Sequence, residues 1–288
     1  MKCFDINLAL DYDKYELGGG HRATMTCYLP SNFEEFSADR KRPAMIVCPG
    51  GGYKMRSARE AEPIALQYVA ADMAAFVVHY SVDEDAAFPR CVLEALTAIK
   101  TVRENAAAWD IDPDKIAISG FSAGGHLAAS AGAFWNADFA KEVFGNCELC
   151  KPNAAVLCYP VITSGIWAHR GSFNKLVGED ATQEQLDLVS IEKQVTESYP
   201  PSFIWHTGTD GAVPVNNSLF LAQALAEKKV LFELHVYPTG VHGLSLSDER
   251  TSRFKDGKYV ETMMEKRPRQ WVSDSILFLK ESVFNQEK

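Results

Sequence analysis

The sequence predicts an α/β fold, a mostly parallel sheet of about eight strands flanked by helices and carrying a short cap. Three observations support this. Apolar, β-branched runs alternate along the chain with helix-length amphipathic stretches. The inner runs are apolar throughout, as in strands covered on both faces, whereas the first two alternate more, which suits antiparallel edge strands. The 288 residues are 47% hydrophobic, enough for one large core, so a single unit is expected over 1–288.

In order, "CFDINLAL" and "ATMTCYLP" read as the edge strands. "AMIVCPG" follows, then the helix "AREAEPIALQYVAAD" and the strand "AFVVHYS". "PRCVLEALTAIKTVRENAAAWD" places Val92, Leu93, Leu96, Ile99 and Val102 near helical spacing. "KIAISG" leads into "SAGGHLAASAGAFW", an alanine-rich helix. The strands "AAVLCYP", "SFIWHTG" and "LFELHVYP" complete the set, with "NNSLFLAQALAEKK" before the last and "PRQWVSDSILFLKESVF" closing the chain. Such alternation implies parallel strands with right-handed crossovers. One segment breaks the rhythm. Residues 161–200, with the helical "TQEQLDLVSIEKQV", form a long excursion that reads as a cap or pocket wall, against an ordinary surface helix. Within it Ile166, Trp167, Phe173 and Leu176 either bound a pocket or belong to the core.

The formal net charge of −9 gives no overall field to attract nucleic acid or anionic lipid. No apolar run approaches the roughly 18 residues that span a bilayer. The start "MKCFDINLALDYDK" lacks the plan of a secretory signal, so a cytoplasmic location is expected. Seven cysteines, an odd number, suit a reducing compartment. "CELC" is a lone CxxC with no second pair, a weak zinc signal.

"GFSAG", Gly120–Gly124, is a G-x-S-x-G between a strand and a helix. That is the setting of a nucleophile elbow, in which Ser122 sits on a strained turn and the helix N-terminus faces any charge that forms. The competing reading is a serine that merely caps the helix. A serine hydroxyl needs a base, and the base an orienting carboxylate. Asp210 stands just past the strand "SFIWHTG", and His242 just past "LFELHVYP". Asp187 and Asp248 remain alternative acids. His206, His235 and His79 lie in strand runs, His126 is one helical turn past Ser122, and His21 and His169 are in loop-like stretches. Acyl transfer also needs donors for an oxyanion. "CPGGGYKM" offers the N–H groups of Gly51 and Gly52, to be joined by that of Ala123. A phosphate loop is disfavoured, because no G-K-S/T ending follows. Tyr53 and Trp167 are candidate substrate-pocket residues, with packing as the other role for Tyr53.

Together "PGGGY", "SAREAEPIA", "GFSAGGHLA", the D-x-x-V-P of "TDGAVP" and "GVHG" resemble the α/β-hydrolase superfamily. More narrowly they are similar to small bacterial esterases related to hormone-sensitive lipase and to BD-FAE-like acetyl (carbohydrate) esterases. The resemblance runs from about residue 40 onward. It implies an α/β-hydrolase fold with Ser122 as nucleophile, Asp210 as acid, His242 as base, and Gly51, Gly52 and Ala123 as the oxyanion hole. Pro49 stands where lipase-like members have the histidine of His-Gly-Gly-Gly, which points to the acetyl-esterase branch. The implied activity is hydrolysis of short-chain, chiefly acetyl, esters of sugars or xylan fragments, without metal or cofactor. A peptidase or arylformamidase is the alternative, and a non-catalytic ligand-binding protein on the same fold the more distant one. The expected partner is a small-molecule ester, with no nucleic acid and no membrane. A homo-oligomer is left open.

Overall fold

The computed structural model describes residues 1–35 and 37–285. Eight strands form one sheet: β1 (Lys2–Asn7), β2 (Thr24–Leu29), β3 (Arg42–Cys48), β4 (Ala74–His79), β5 (Ile111–Phe121), β6 (Ala154–Cys158), β7 (Ser202–Thr207) and β8 (Phe232–Tyr237). Their spatial order is β1-β2-β4-β3-β5-β6-β7-β8. The pairs β1–β2 and β2–β4 are antiparallel and the rest parallel. The polar alternation of the first two strands therefore marks the antiparallel edge, as expected. Helices connect the strands: α1 (Glu62–Ala70), α2 (Arg90–Glu104), α3 (Ala123–Phe134), α4 (Asp138–Phe144), α5 (Arg170–Val177), α6 (Gln183–Leu188), α7 (Asn216–Glu227) and α8 (Trp271–Leu277). A two-stranded ribbon, β9 (Phe254–Lys255) and β10 (Lys258–Tyr259), lies between β8 and α8.

The period of two in the strands divides the core into layers. Ile46, Ile118 and Leu157 face one way and pack with Leu96 of α2, Leu127 of α3 and Leu221 of α7. Met45, Ala117 and Val156 face the other way and pack with Tyr68 of α1 and Trp271 of α8. Both faces are covered, which is why the inner strands are apolar throughout.

The helix expected over "TQEQLDLVSIEKQV" is broken in two. A capping box starts α6, with Gln185 N–H on Thr182 Oγ1 at 3.3 Å and Thr182 N–H on Gln185 Oε1 at 2.9 Å. The chain then passes into a 3₁₀ turn at Ile191–Lys193; there Ile191 N–H donates to Ile162 O at 3.1 Å and the Val189 carbonyl accepts from His126 Nε2 at 2.8 Å. Helices α4 and α5 were not anticipated; both are short. Cys147–Cys150 forms another 3₁₀ turn, and burial pushes the Cys150 thiol up to about 12. No helix among the described residues is long and apolar enough to cross a membrane.

Candidate active site

β5 ends at Phe121 and α3 begins at Ala123, leaving Ser122 alone at the turn with φ 54° and ψ −118°. A non-glycine residue there stores about 1–3 kcal/mol of strain. Three backbone hydrogen bonds hold it. Its N–H donates to Cys158 O, and its carbonyl accepts from His126 N–H and Val161 N–H, each at 3.0 Å. The crossing is also too close for side chains. A Cβ on Gly120 would fall 2.0 Å from Gly124 O, and one on Gly124 would fall 2.1 Å from Cys48 O. The Ser122 hydroxyl caps nothing in α3. It donates instead to His242 Nε2 at 2.7 Å, from 120 residues away in the chain.

His242 follows β8 and Asp210 follows β7, so both arrive from the carboxyl ends of parallel strands, as Ser122 does. His242 Nδ1–H donates to Asp210 Oδ2 at 2.6 Å, which leaves Nε2 as the acceptor facing Ser122. Asp210 Oδ1 accepts the N–H groups of Ala212 and Val213, both at 2.9 Å. Burial works against its charge, but hydrogen bonding from His206, His242 and the Val213 backbone outweighs it and holds the carboxyl well below the usual range. His206 Nε2 lies 3.4 Å from Asp210 Oδ2 and also bonds Val213 O at 2.8 Å. The alternative acids are engaged elsewhere: Asp187 pairs with Lys193 at 2.6 Å and Asp248 with Arg250 at 2.6 Å.

The glycine loop after β3 meets the same place. Gly50 N–H is committed to Glu60 Oε2 at 2.9 Å. The N–H groups of Gly51 and Gly52 take no partner among the described residues. Ala123 is the first residue of α3, where an N–H has no helical acceptor and the helix presents its positive end. Its side chain is fully buried.

Gly51, Gly52, Ser122 and His242 share a cavity of ≈ 660 Å³. Five further lining residues, His169, Gly171, Asn174, Lys175 and Glu179, come from the excursion between β6 and β7. The root of that excursion is held by the buried Asn217. Its Oδ1 accepts from Ile162 N–H and Thr163 N–H, and its Nδ2 donates to Trp167 O and Pro214 O.

Two expected pocket residues are corrected. Tyr53 is buried and points away from the cavity, its O–H donating to His126 Nδ1 at 2.8 Å. Backbone turning after Gly52 carries its ring into the core against Tyr80 and His126. Trp167 is half exposed and is not among the lining residues; its backbone carbonyl, rather than its ring, is what the fold uses. Phe173 and Leu176 belong to the core, while Ile166 is 91% exposed.

Several residues at the site were not anticipated. Glu60, buried, accepts Tyr159 O–H at Oε1 (2.6 Å) as well as Gly50 N–H. The Tyr159 oxygen in turn accepts Ser245 N–H at 3.0 Å, and its ring stands edge-on to His242 with centroids 5.1 Å apart. Arg59 donates from Nη2 to Gly243 O at 2.7 Å and from Nε to Thr251 O. His169 faces Gly52 across the cavity, and burial, then the nearby His242, lowers its pKa. The "SAREAEP" motif was the available signal for Arg59 and Glu60, whereas His169 had none beyond its place in the excursion.

The sheet order and the three strand ends that carry Ser122, Asp210 and His242 define an α/β-hydrolase fold. The family model described as BD-FAE matches residues 25–225, and the chain belongs to that family. It is 38% identical over 255 residues to endo-1,4-beta-xylanase B of Butyrivibrio fibrisolvens, covering 85% of this chain and 38% of the relative. It is 29% identical to the acetylxylan esterase of Xylanibacter ruminicola, covering 84% of this chain and 46% of the relative. The chain thus spans less than half the length of these curated relatives. Among solved structures, the acetyl ester-xyloside bifunctional hydrolase from Caldicellulosiruptor lactoaceticus superposes with a TM-score of 0.80 at 32% identity, over 97% of this chain and 96% of that one.

Proposed function

We propose that this protein is a serine carboxylesterase that removes short acyl groups, chiefly acetyl, from sugars or xylan fragments. The observation that carries the reading is the continuous relay from Ser122 Oγ through His242 to the anchored Asp210 carboxylate, at 2.7 and 2.6 Å. The named activities of the xylan-directed relatives support the substrate class.

In the proposed mechanism His242 Nε2 takes the Ser122 proton as Oγ attacks the ester carbonyl. Asp210, kept ionised, stabilises the imidazolium. The N–H groups of Gly51, Gly52 and Ala123 receive the oxyanion. Collapse of the tetrahedral species expels the alcohol, which takes the proton from His242. Water gives its proton to the same nitrogen as it attacks the acyl-serine; collapse expels Ser122 Oγ, which takes that proton back from His242, and the acid leaves. Residues 161–200 act as the cap, since they supply one wall of the cavity. The seven free thiols support a reducing compartment such as the cytoplasm.

The test is turnover of p-nitrophenyl acetate and acetylated xylo-oligosaccharides by the protein and by Ser122→Ala, with fluorophosphonate labelling alongside. The variant should lose about 10⁴-fold or more in kcat and fail to label. Undiminished turnover by Ser122→Ala would overturn the assignment.

A further inference from the structure

A second cavity, ≈ 980 Å³, adjoins the first. Arg59, His242 and Arg253 line both, so the two lie side by side about the imidazole. An acetyl group and a small alcohol need only the first. The wall of the second includes Val241, Val260 and Phe254, together with the polar Thr209, Ser252 and Lys255.

Phe254 is presented by design of the local backbone. It sits on β9 directly opposite Tyr259 of β10. The connecting Asp256 and Gly257 have φ of 51° and 76°, the left-handed pair that a tight two-residue hairpin requires. The base of the ribbon is closed by Val260 N–H on Arg253 O at 2.9 Å and by Ser252 Oγ on Val260 O at 3.1 Å. The Tyr259 ring meets that of Phe254 at 5.2 Å and 73°, which braces it. Phe254 is nonetheless 66% exposed, and Val241 beside the same cavity 41%. Exposed apolar groups gathered on a cavity wall mark a binding surface.

The occupant must be amphipathic. A long acyl tail would call for an enclosed apolar channel, and this groove is instead rimmed by Arg59, Arg253 and Lys255. A pyranose ring has that character: its C–H face can lie against the Phe254 ring while its hydroxyls meet Arg253 and Lys255. We propose that the second cavity holds the saccharide chain of the ester, with Phe254 stacked on a sugar ring beyond the acetylated one. This rests on the esterase reading above.

The experiment compares the protein with Phe254→Ala and Phe254→Trp on three substrates: p-nitrophenyl acetate, acetylated xylobiose and acetylated xylohexaose. For Phe254→Ala, KM for the hexaose should rise about three- to tenfold with kcat within about twofold. KM for p-nitrophenyl acetate should stay unchanged, and Phe254→Trp should restore the hexaose KM. An unchanged hexaose KM overturns the proposal, as does an equal rise for all three substrates. If the unaltered protein hydrolyses p-nitrophenyl acetate but neither saccharide, the glycan subsite fails while the serine esterase reading survives. If it hydrolyses no ester and takes no fluorophosphonate, both fail.

Discussion

Glu60 and Tyr159 share a 2.6 Å hydrogen bond that couples the two halves of the candidate site. On one side the Glu60 carboxylate holds Gly50 N–H and so fixes where Gly51 and Gly52 stand. On the other, Tyr159 packs against His242 and holds Ser245 N–H three residues beyond it.

Replacing Glu60 by Gln removes one acceptor, so Gly50 N–H and Tyr159 O–H cannot both be satisfied as before. Misplacing reacting groups by about 1 Å can cost about 10²-fold. For Glu60→Gln we expect kcat, counted per fluorophosphonate-titrated site, to fall about 10- to 100-fold with KM within about twofold. Unchanged kcat per titrated site would leave Glu60 with a purely structural role.

Gly124 gives a stability prediction. A methyl group there overlaps two backbone oxygens, Cys48 O at 2.1 Å and Pro49 O at 2.4 Å. Backbone yields little, so Gly124→Ala should cost about 2–3 kcal/mol in urea unfolding and abolish labelling at Ser122. Gly20→Ala, where a Cβ meets nothing within 4 Å, should stay within about 0.5 kcal/mol.

His126 predicts a pH dependence of stability. Burial, only partly offset by the Val189 carbonyl, lowers its pKa from the usual 6.5 to about 4. Between those values the unfolded chain binds the proton and the folded chain does not, so stability falls as pH falls through that window and the loss is complete only below the folded value. From pH 7 to 5 the loss from this group is about 2 kcal/mol. Between pH 7 and pH 5 the unfolding free energy of the protein should fall by about 2 kcal/mol more than that of His126→Gln, an average of about 0.7 proton. Parallel pH profiles would show that His126 does not carry the effect.

The strands and the principal helices were legible because a sheet buried on both faces demands long apolar runs, and crossovers demand helices between them. Ser122, Asp210 and His242 were legible because each follows such a run. Tyr53 and Trp167 were misassigned because adjacency in sequence does not say which way a side chain turns after a glycine loop, or whether a cap residue serves through its ring or its carbonyl. The role of Glu60, as distinct from its place in the "SAREAEP" motif, was hidden for a related reason. Its partners Gly50, Tyr159 and, through Tyr159, Ser245 come from three separate loops, and nothing local records their meeting. The break after α6 was equally non-local, since the Ile191 N–H and the Val189 carbonyl find their partners in Ile162 and in His126 of another helix.

β8 stands at the border of the sheet and bonds to β7 alone, and its residues are only partly covered. His242 hangs from its end. Border strands loosen before interior ones. Under the esterase activity proposed above, turnover should therefore vanish while most of the sheet is still intact, so it would report on the integrity of one margin of the molecule rather than on the folding of the whole.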